Sequence, residues 1–194
     1  DKYYKAIGQN NVTLETSTIS RIGKRSVETI SGNKHDHDII VFATGFHTNP
    51  FLKEINVLGK SGFELKESWK DGAFAYLGVT THKFPNMFML YGPNTNTGHT
   101  SIIYKLEAQF EHILKLLSIT GDGIIEVKDS VEKQYNAQAQ KKLSRLAWSK
   151  IDASWYKDGG RVTNNWYGSS YEYNKRLRAP IVKNFMVTTS QIIQ

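Results

Sequence analysis

The sequence predicts an α/β fold, with helices packed on a mixed sheet. Two apolar runs carry this prediction. Residues 39–43 are apolar without interruption, which is typical of a strand buried on both faces. Residues 86–91 are also strongly apolar, and they precede a small polar loop and an amphipathic helix that begins near Thr100. Together the two runs predict parallel or mixed strands alternating with helices.

The first third of the chain contains three predicted strands. Residues 12–16 and 25–30 alternate between apolar and polar side chains, and Gly23 and the turn at 31–33 bound them. Residues 38–43 form the buried strand, after which Thr44 and Gly45 keep the chain small, so that backbone can approach a partner closely. The alternative for these two residues is a tight turn that ends the strand. Residues 49–71 predict a polar connection.

The rest of the chain is predicted to be helical and then loop-like. The helix after Thr100 places seven apolar side chains on one face, which predicts packing against a core. They are Ile102, Ile103, Leu106, Phe110, Ile113, Leu114 and Leu117. Residues 130–150 combine helical apolar spacing with many charges and predict a surface helix. Residues 155–173 are rich in Gly, Asn and aromatic residues and predict an ordered loop.

The run at residues 92–100 is the strongest candidate binding segment. Small polar residues lead into a helix N-terminus, where free N–H groups favour an electron-rich ligand. The alternative is an ordinary helix start in a βα unit. A nucleoside triphosphate loop does not fit, because five residues separate Gly92 from Gly98 and His99 stands where that motif needs lysine.

Composition indicates a folded protein without disulfides. Hydrophobic residues make up 39% of the chain and charged residues 22%, close to ordinary globular values. The chain has no cysteine, which excludes thiolate metal sites and fits a reducing cytoplasm. No apolar run reaches the length of a membrane span and no signal peptide is visible, so we expect a cytoplasmic protein without a membrane partner.

The net charge of +7 lies entirely in the C-terminal third. Residues 128–194 hold 12 basic and 5 acidic side chains, whereas the two signs cancel before them. Basic charge with tryptophans is one pattern of nucleic-acid binding. These cations are scattered rather than clustered, so we predict no nucleic-acid partner and favour a solvated face or a surface that faces an acidic cofactor.

No metal site and no hydrolytic triad is predicted. His35 and His37 would share one face of a strand, but no third and fourth ligands stand nearby. A solvated turn before the buried strand is the simpler interpretation. No motif arranges Ser, His and an acid for nucleophilic catalysis.

Several segments, in this order, resemble the class B flavin-dependent monooxygenases, which include the Baeyer–Villiger monooxygenases and the flavin-containing N- and S-oxygenases. Residues 38–46 are similar to that family's Ala-Thr-Gly motif, and residues 76–80 and 84–95 to the stretch that returns the chain to the FAD domain. The other matching segments are 101–103, 107–109, 154–157, 159–162 and 164–166. The resemblance runs from about residue 12 to about residue 178 and is closest to the hydroxyacetophenone monooxygenase-like branch.

The resemblance implies cofactor and substrate sites. Seven residues would face the cofactors FAD and NADPH: Thr44, Gly45, Asn94, Thr95, Gly98, His99 and Thr100. Thr44 and Gly45 would lie where the two cofactor domains join and would act through backbone. His47 stands where the family often has an acid, which separates this chain from the pattern at that position. His99 has capping or packing as its alternative role. Trp155 and Trp166 are candidates for the substrate pocket, with structural anchoring as the alternative.

The family's other motifs are absent from the sequence. There is no G-x-G-x-x-G fingerprint for FAD or NADPH and no F-x-G-x-x-x-H-x-x-x-W-P signature, and Gly121-Asp122-Gly123 lacks the third glycine. The resemblance therefore implies the C-terminal part of a fold with two dinucleotide-binding domains. Residues 1–75 would be a partial NADPH-binding domain and linker, residues 76–127 the C-terminal part of the FAD-binding domain, and residues 128–194 a helical and loop extension.

By resemblance, the parent enzyme uses NADPH to reduce FAD and then inserts one oxygen atom of O2 into a ketone or onto a soft heteroatom, through a C4a-peroxyflavin. Its partners would be a small organic substrate, O2 and the missing N-terminal part of the same enzyme. The family's catalytic arginine lies in that missing part, so no catalytic residue is assigned here and the chain by itself is expected to be inactive. The alternative is a non-catalytic, stand-alone binding or assembly module.

Overall fold

The computed structural model describes residues 2–45, 51–151, 154–178, 180 and 182–188. The chain divides into two units, Asp1–Phe46 and His47–Gln194. It contains both helices and strands, so the predicted α/β class is confirmed, although the strands of the described sheets pair antiparallel. Among the described residues, no helix combines the length and the apolar character needed to cross a membrane.

The first unit consists of a short helix and an antiparallel sheet. Its elements are α1 (Lys2–Ile7), β1 (Ile19–Ile22), β2 (Ser26–Thr29) and β3 (Lys34–Asp36), with strand order β1-β2-β3. Val27 pairs with Ile22 on one side and His35 on the other. Strand β2 confirms the strand predicted at 25–30, and Gly32 (φ +86°) lies in the predicted turn.

The strand predicted at residues 12–16 is absent. Instead, the Glu15 carboxylate accepts hydrogen bonds from Ser17 N–H (2.8 Å) and the Asn33 amide (2.9 Å). These bonds, the Ser17 bond foremost, lower the pKa of Glu15 to about 2. Local side-chain bonding of this kind competes with a strand ladder, which explains why the alternating pattern failed as a prediction.

The prediction of a buried strand at residues 38–43 is also wrong. The segment has no regular structure, and 80% of Ile39 and 81% of Val41 are exposed. Strand β3 ends just before it, at Asp36, and Asp38 pairs with Arg25 at 3.1 Å. A strand buried on both faces needs neighbours and covering helices, and none of the described residues supplies them.

The second unit holds the helices that position the candidate site. Its helices are α2 (Leu65–Ser68), α3 (Ile102–Thr120), α4 (Asp129–Leu143), α5 (Ala147–Lys150) and α6 (Ser170–Arg178). Its strands are β4 (Ile124–Val127), β5 (Lys157–Asp158), β6 (Arg161–Val162) and β7 (Phe185–Thr188), and two 3-10 turns lie at Lys60–Gly62 and Val182–Asn184. Strand β4 pairs antiparallel with β7, and β5 pairs antiparallel with β6.

Two apolar clusters form the core of this unit. The larger joins α3, α4, α6 and the β4–β7 pair through Leu116, Tyr135, Val127, Tyr173 and Leu177. The smaller gathers Leu65, Trp69, Ala73 and Phe84 around α2. Because α3 and α6 pack directly on each other in the larger cluster, the start of α3 is held on a buried base.

Helix α3 occurs where predicted, but its buried face differs from the prediction. The buried side chains are Lys105, Ala108, Gln109, His112, Leu116 and Thr120. Four of the seven apolar residues predicted to be buried are instead exposed, namely Ile103, Phe110, Leu114 and Leu117. The apolar stripe is real, but α6 packs on the neighbouring, more polar face, so the stripe stays open in the described residues.

Residues 86–91 do not form the predicted strand. They are irregular, and isolated hydrogen bonds hold them: Met89 N–H donates to Val79 O (2.8 Å), and Asn86 N–H donates to Ile125 O (3.0 Å). Asn86 has a positive φ of +53°, which interrupts a strand ladder. The apolar composition of this segment agrees with its partial burial, but the segment does not pair as a strand.

The C-terminal elements match the predictions in part. The single helix expected at 130–150 is two helices, α4 and α5, because the chain becomes extended at Leu146 (ψ 161°). The loop expected at 155–173 contains the β5–β6 hairpin and then enters α6 at Ser170, so its last residues are helical. Helix α6 was not predicted, since its composition is strongly polar and aromatic.

Candidate functional site

The candidate binding segment begins with a close contact between two glycine turns. Gly78 has a φ of +68°, and a Cβ there would lie 2.1 Å from Thr95 Cγ2. A Cβ at Gly92 would lie 2.4 Å from Gly78 O. Only glycine allows these two backbones to approach so closely. The contact therefore holds residues 92–95 against the turn at Gly78.

Asn94 fixes the segment to the loop after β6. Its side-chain amide donates to Val162 O at 2.7 Å and to Asn165 O at 3.1 Å, and its backbone N–H donates to Thr163 O at 2.7 Å. Its φ of +57° lies in the left-handed region, which asparagine tolerates better than most residues. Asn94 is therefore a buried structural clamp in the described fold.

Asn96 extends the same attachment by a short parallel bridge to Asn165. Asn96 N–H donates to Asn164 O at 3.1 Å, and Trp166 N–H donates to Asn96 O at 2.9 Å. The Asn96 side chain donates to Asn165 Oδ1 at 3.1 Å and accepts from the Tyr91 hydroxyl at 2.7 Å. Two loops about seventy positions apart are thus joined along their backbones.

The residues that enter α3 are exposed and open. Gly98, His99 and Thr100 are all exposed, and no described atom lies within 4 Å of the position that a Gly98 Cβ would take. Among the described residues, Ser101 finds no side-chain hydrogen bond as the N-cap of α3. The first N–H groups of α3 therefore keep their hydrogen-bonding capacity, and the helix dipole adds positive potential there.

Side chains around this helix start hold its shape. Thr97 N–H donates to Asn96 Oδ1 at 2.8 Å, and the Thr97 hydroxyl lies 3.2 Å from His99 Nδ1. The Thr100 hydroxyl makes a short hydrogen bond with the Ser170 hydroxyl, at the first residue of α6. The segment is thus anchored from both α6 and the 164–166 loop, while its outer surface stays accessible.

A buried polar layer lies beneath the segment. Lys105, only 2% exposed, donates from Nζ to Thr95 O at 3.0 Å. Its Nζ lies 5.1 Å from the centroid of the Tyr173 ring and 6.0 Å from that of Trp166. No described carboxylate pairs with it, and burial lowers the pKa of its ammonium to about 8.

Gln109 and Tyr173 complete this layer. The Gln109 amide donates to the Tyr173 hydroxyl at 2.7 Å, and that hydroxyl donates to Leu77 O, also at 2.7 Å. Gln109 Oε1 accepts from Tyr91 N–H at 3.0 Å. Burial raises the pKa of the Tyr173 hydroxyl, so it remains a neutral donor. The chain of bonds connects α3, α6 and both glycine turns.

The sequence-predicted residues of the second unit therefore fall into two groups. Gly98, His99 and Thr100 form the accessible helix start, whereas Asn94 and Thr95 are buried below it, with the Thr95 hydroxyl donating to Gly92 O at 2.7 Å.

The two candidate tryptophans of the substrate pocket also differ. Trp166 is 4% exposed, donates from its indole N–H to Ser169 O at 3.0 Å and packs on Tyr173. Trp155 is 50% exposed, and its ring packs on Tyr156 with centroids 4.0 Å apart. Trp166 thus has the environment of an anchor, and Trp155 that of a surface residue.

The two predicted residues of the first unit are exposed. Thr44 and Gly45 follow the open apolar segment, and Gly45 has a φ of +76°. No described atom lies within 4 Å of a Cβ built at Gly45. Phe46, the last residue of that motif, and His47 after it lie outside the described residues.

The polar layer under the segment was missed by sequence reasoning. Lys105, Gln109 and His112 share the face of α3 that also carries Ala108. Their spacing is the helical i, i+4, i+7 pattern, so a second stripe beside the apolar one was present in the sequence. Polar side chains ordinarily mark the solvent side of a helix, and here their partners on α6 and in residues 91–95 reverse that.

A second polar cluster surrounds Glu126, whose side chain is 2% exposed. Its carboxylate lies 2.7 Å from Lys60 Nζ and 2.9 Å from His82 Nδ1, and it accepts from Lys83 N–H at 2.8 Å. Burial raises the pKa of Glu126, but Lys60 and the Lys83 N–H more than offset that effect, so its pKa is lowered. These residues line a cleft of about 700 Å³ that contains none of the sequence-predicted site residues.

The structure contains no evident metal centre in the part that it describes. No group of three or more His, Asp or Glu side chains there could hold an ion. His35 and His37 do lie on one side of the sheet, with ring centroids 6.3 Å apart, and His35 Nε2 lies 3.2 Å from Glu15 Oε2.

Comparison with known proteins gives relatives along nearly the whole chain. No family model matches it. It is 38% identical over 186 residues to the FAD-binding monooxygenase ktnD of Aspergillus niger, covering 91% of this chain and 30% of that protein. It is 34% identical over 196 residues to a Baeyer–Villiger monooxygenase of Pseudomonas aeruginosa, covering 98% of this chain and 37% of that protein. The chain thus spans about a third of the length of the curated relatives it matches.

Solved structures show the same likeness. The OTEMO complex with FAD and NADP matches 96% of this chain and 37% of its own, at 25% identity and a TM-score of 0.76. Cyclohexanone monooxygenase from Rhodococcus sp. Phi1 bound to NADP+ matches 97% of this chain and 38% of its own, at 24% identity and a TM-score of 0.76. At 24% identity, the likeness to cyclohexanone monooxygenase shows a shared fold and nothing more.

Proposed function

This chain belongs to the class B flavin-dependent monooxygenases, and we propose that it forms the flavin-facing wall of an NADPH- and FAD-dependent enzyme that inserts one oxygen atom of O2 into a ketone or onto a soft heteroatom. The observation that carries the proposal is the accessible start of α3. It combines uncapped helix N–H groups with a rigid, buried base, which is the arrangement that an anionic group favours.

The residues of this helix start fit a flavin ring. The open space at Gly98 lets a planar group approach the backbone, and Thr97 and Thr100 offer hydroxyl groups beside it. A reduced flavin carries negative charge at the pyrimidine edge of its ring, which a helix N-terminus complements. Bound FAD, once reduced by NADPH, would supply the chemistry that activates O2.

The chain's own residues would orient the ring. Asn94 and Asn96 fix residues 92–96 to the loop after β6, so the N–H groups that follow are held in place before the cofactor arrives. Such preorganisation lowers the cost of ordering a site on binding. His99 and Thr100, both exposed, would lie beside the ring, and Thr95 would hold the turn below it.

The nicotinamide cofactor and the substrate would involve other residues. Thr44 and Gly45 are proposed to contact NADPH through backbone, where the two cofactor domains join. Trp155 is proposed to contribute to the wall of the substrate pocket, since half of its surface is exposed. Trp166 is proposed to support that wall from behind, because it packs on Tyr173 in the core.

The remainder of the enzyme is the proposed partner of the open apolar surfaces. Ile103, Phe110, Leu114 and Leu117 are exposed along α3, and the 39–42 segment is exposed in the first unit. Soluble proteins rarely leave such surfaces uncovered. The relatives are about three times as long as this chain, so they contain residues that could cover both surfaces. The domain limits implied by the resemblance, 1–75, 76–127 and 128–194, are proposed on the same basis.

The test places a negative charge at the helix start of the complete enzyme. Gly98→Glu adds a carboxylate at an exposed position with room for a side chain, so the fold should be retained. We expect FAD affinity to fall at least about tenfold, since the charge opposes an electron-rich ligand at the dipole's positive end. Flavin fluorescence during titration measures the dissociation constant.

Ser118→Glu is the matched control, because it adds the same charge to an exposed position at the other end of α3. It should leave FAD affinity unchanged. A Gly98→Glu enzyme that binds FAD as tightly as the unmodified enzyme would contradict the placement of the flavin. An unmodified complete enzyme that holds no FAD would contradict the proposed function as a whole.

A further inference from the structure

Lys105 is a charged side chain in the core, and none of the described carboxylates pairs with it. It is 2% exposed and is among the largest fully buried side chains of the described chain. Within the described part of the chain, its ammonium makes one hydrogen bond, to Thr95 O at 3.0 Å. An ammonium buried in this way loses hydration, and a single carbonyl compensates only part of that loss. Retaining the amine here therefore calls for a physical reason.

The aromatic rings beside Lys105 provide part of the compensation. Its Nζ lies 5.1 Å from the centroid of Tyr173 and 6.0 Å from that of Trp166, within the range of cation–π attraction. Arg176 lies 5.6 Å from the same ring, but its guanidinium is paired with Glu172 at 2.8 Å. No described carboxylate neutralises Lys105, so its ammonium is the unpaired positive charge of this layer.

The position of Lys105 on α3 directs this charge towards the candidate site. Side chains on a helix point back towards its N-terminus, and Lys105 reaches past the first turn to the carbonyl of Thr95. Thr95 stands three residues before the open segment that begins at Gly98. The ammonium thus lies below the helix start, on the side where α6 and the 164–166 loop anchor it.

We propose that Lys105 is a positioning residue for the flavin: its ammonium fixes the Thr95 carbonyl and adds positive charge under the start of α3, so that the reduced, anionic flavin is held more tightly than the oxidised one. This inference rests on the proposed function. Lys105 does not contact solvent and forms no bond to a reacting atom. It acts through the turn that it holds and through its charge, which a low-dielectric interior screens weakly.

The first part of the test measures flavin binding and potential in the complete enzyme. Lys105→Met keeps most of the length of the side chain and removes the charge and its hydrogen bond to Thr95 O. We expect FAD to bind at least about tenfold more weakly and the midpoint potential of bound flavin to become more negative. Lys105→Arg keeps the charge and should restore most of both. A Lys105→Met enzyme that matches the unmodified enzyme in affinity and potential would overturn the inference.

Lys115→Met is the control on the same helix. Lys115 also donates to a backbone carbonyl, Arg178 O at 2.6 Å, but its side chain is exposed at the far end of α3. It should change neither affinity nor potential. A loss of affinity of equal size in this variant would show that any lysine bond between α3 and α6 matters, and it would overturn the specific role of Lys105.

The second part of the test needs no cofactor. Burial lowers the pKa of Lys105 from 10.5 to about 8, so between these pH values the unfolded chain binds more protons than the folded one. The unfolding free energy should therefore rise with pH through that window, and Lys105→Met should lose this rise. Tyr173, whose pKa is raised by burial, opposes it only above pH 10 and is present in both proteins.

The two parts separate the inference from its premise. Urea denaturation at several pH values between 7 and 10 reports the buried ammonium whether or not flavin binds. Identical pH dependence in Lys105→Met and the unmodified chain would overturn the inference. An unmodified complete enzyme without flavin, combined with the expected pH difference, would contradict the proposed function instead.

Discussion

At the scale of single residues, the candidate site shows how a binding loop can depend on side chains that do not reach its surface. Asn94 was predicted as a cofactor residue from its motif, and the described structure gives it bonds to Val162 O and Asn165 O. The sequence could not reveal these partners, because they stand about seventy positions away. Asn94 can belong to a family motif and still act as a clamp, since a motif residue can be required for the shape of a site rather than for contact with the cofactor.

Asn94→Asp tests this clamp. The change replaces a donor amide with a carboxylate oxygen that faces two carbonyl oxygens, one of them 2.7 Å from the present nitrogen. We expect the unfolding free energy to fall by about 2–4 kcal/mol, through two lost bonds and an unpaired buried acceptor. Urea denaturation of the chain at pH 7 measures the difference.

Asn56→Asp is the matched control for that substitution. Asn56 uses its side-chain oxygen to accept from Lys66 Nζ at 2.6 Å on the surface, and an aspartate keeps that acceptor. Its stability should change by less than about 0.5 kcal/mol. Equal losses at the two positions would show that Asn94 is no clamp.

At the scale of elements, the location of α3 could be predicted and its buried face could not. A run of apolar residues at helical spacing fixes the helix, but which stripe is covered depends on the partner. Helix α6 covers the stripe of Lys105, Gln109 and His112, and its own polar sequence gave no sign of that. The missing strands at 38–43 and 86–91 have a similar cause, because a strand forms only where another strand pairs with it.

The two turns at Gly78 and Gly92 can be formed only by glycine. Gly78→Ala would place a Cβ 2.1 Å from Thr95 Cγ2 and 2.8 Å from Pro93 O, at a φ of +68°. We expect a loss of more than about 2 kcal/mol, since both the backbone conformation and the packing oppose the methyl group. Thermal and urea unfolding of the chain measure it.

Gly62→Ala separates the two contributions to that loss. Gly62 has a similar φ of +74°, but no described atom lies within 4 Å of the position that an added methyl group would take. Alanine there should cost about 1 kcal/mol, from the left-handed conformation alone. Losses of the same size at Gly62 and Gly78 would mean that the close contact with Thr95 is not needed.

At the scale of the whole molecule, the most prominent feature of the chain is its exposed apolar side chains. Ile39, Val41 and Phe42 in the first unit, and Phe110 and Leu114 in the second, are each more than half exposed. If these surfaces are covered by the remainder of a longer enzyme, the chain alone should neither retain FAD nor oxidise NADPH, because no described loop cradles a pyrophosphate. Polar substitutions on these surfaces should then leave the stability of the chain alone unchanged and lower the stability of the complete enzyme.

Leu114→Glu tests this expectation in both forms of the protein. The side chain is 64% exposed on α3, so the unfolding free energy of the chain alone should change by less than about 0.5 kcal/mol. In the complete enzyme a covered carboxylate would be desolvated, and we expect a lower melting temperature and loss of bound FAD. Ser118→Glu adds the same charge at an exposed polar position of α3 and should affect neither form. A complete enzyme that tolerates Leu114→Glu as well as Ser118→Glu would show that this face of α3 remains open to solvent.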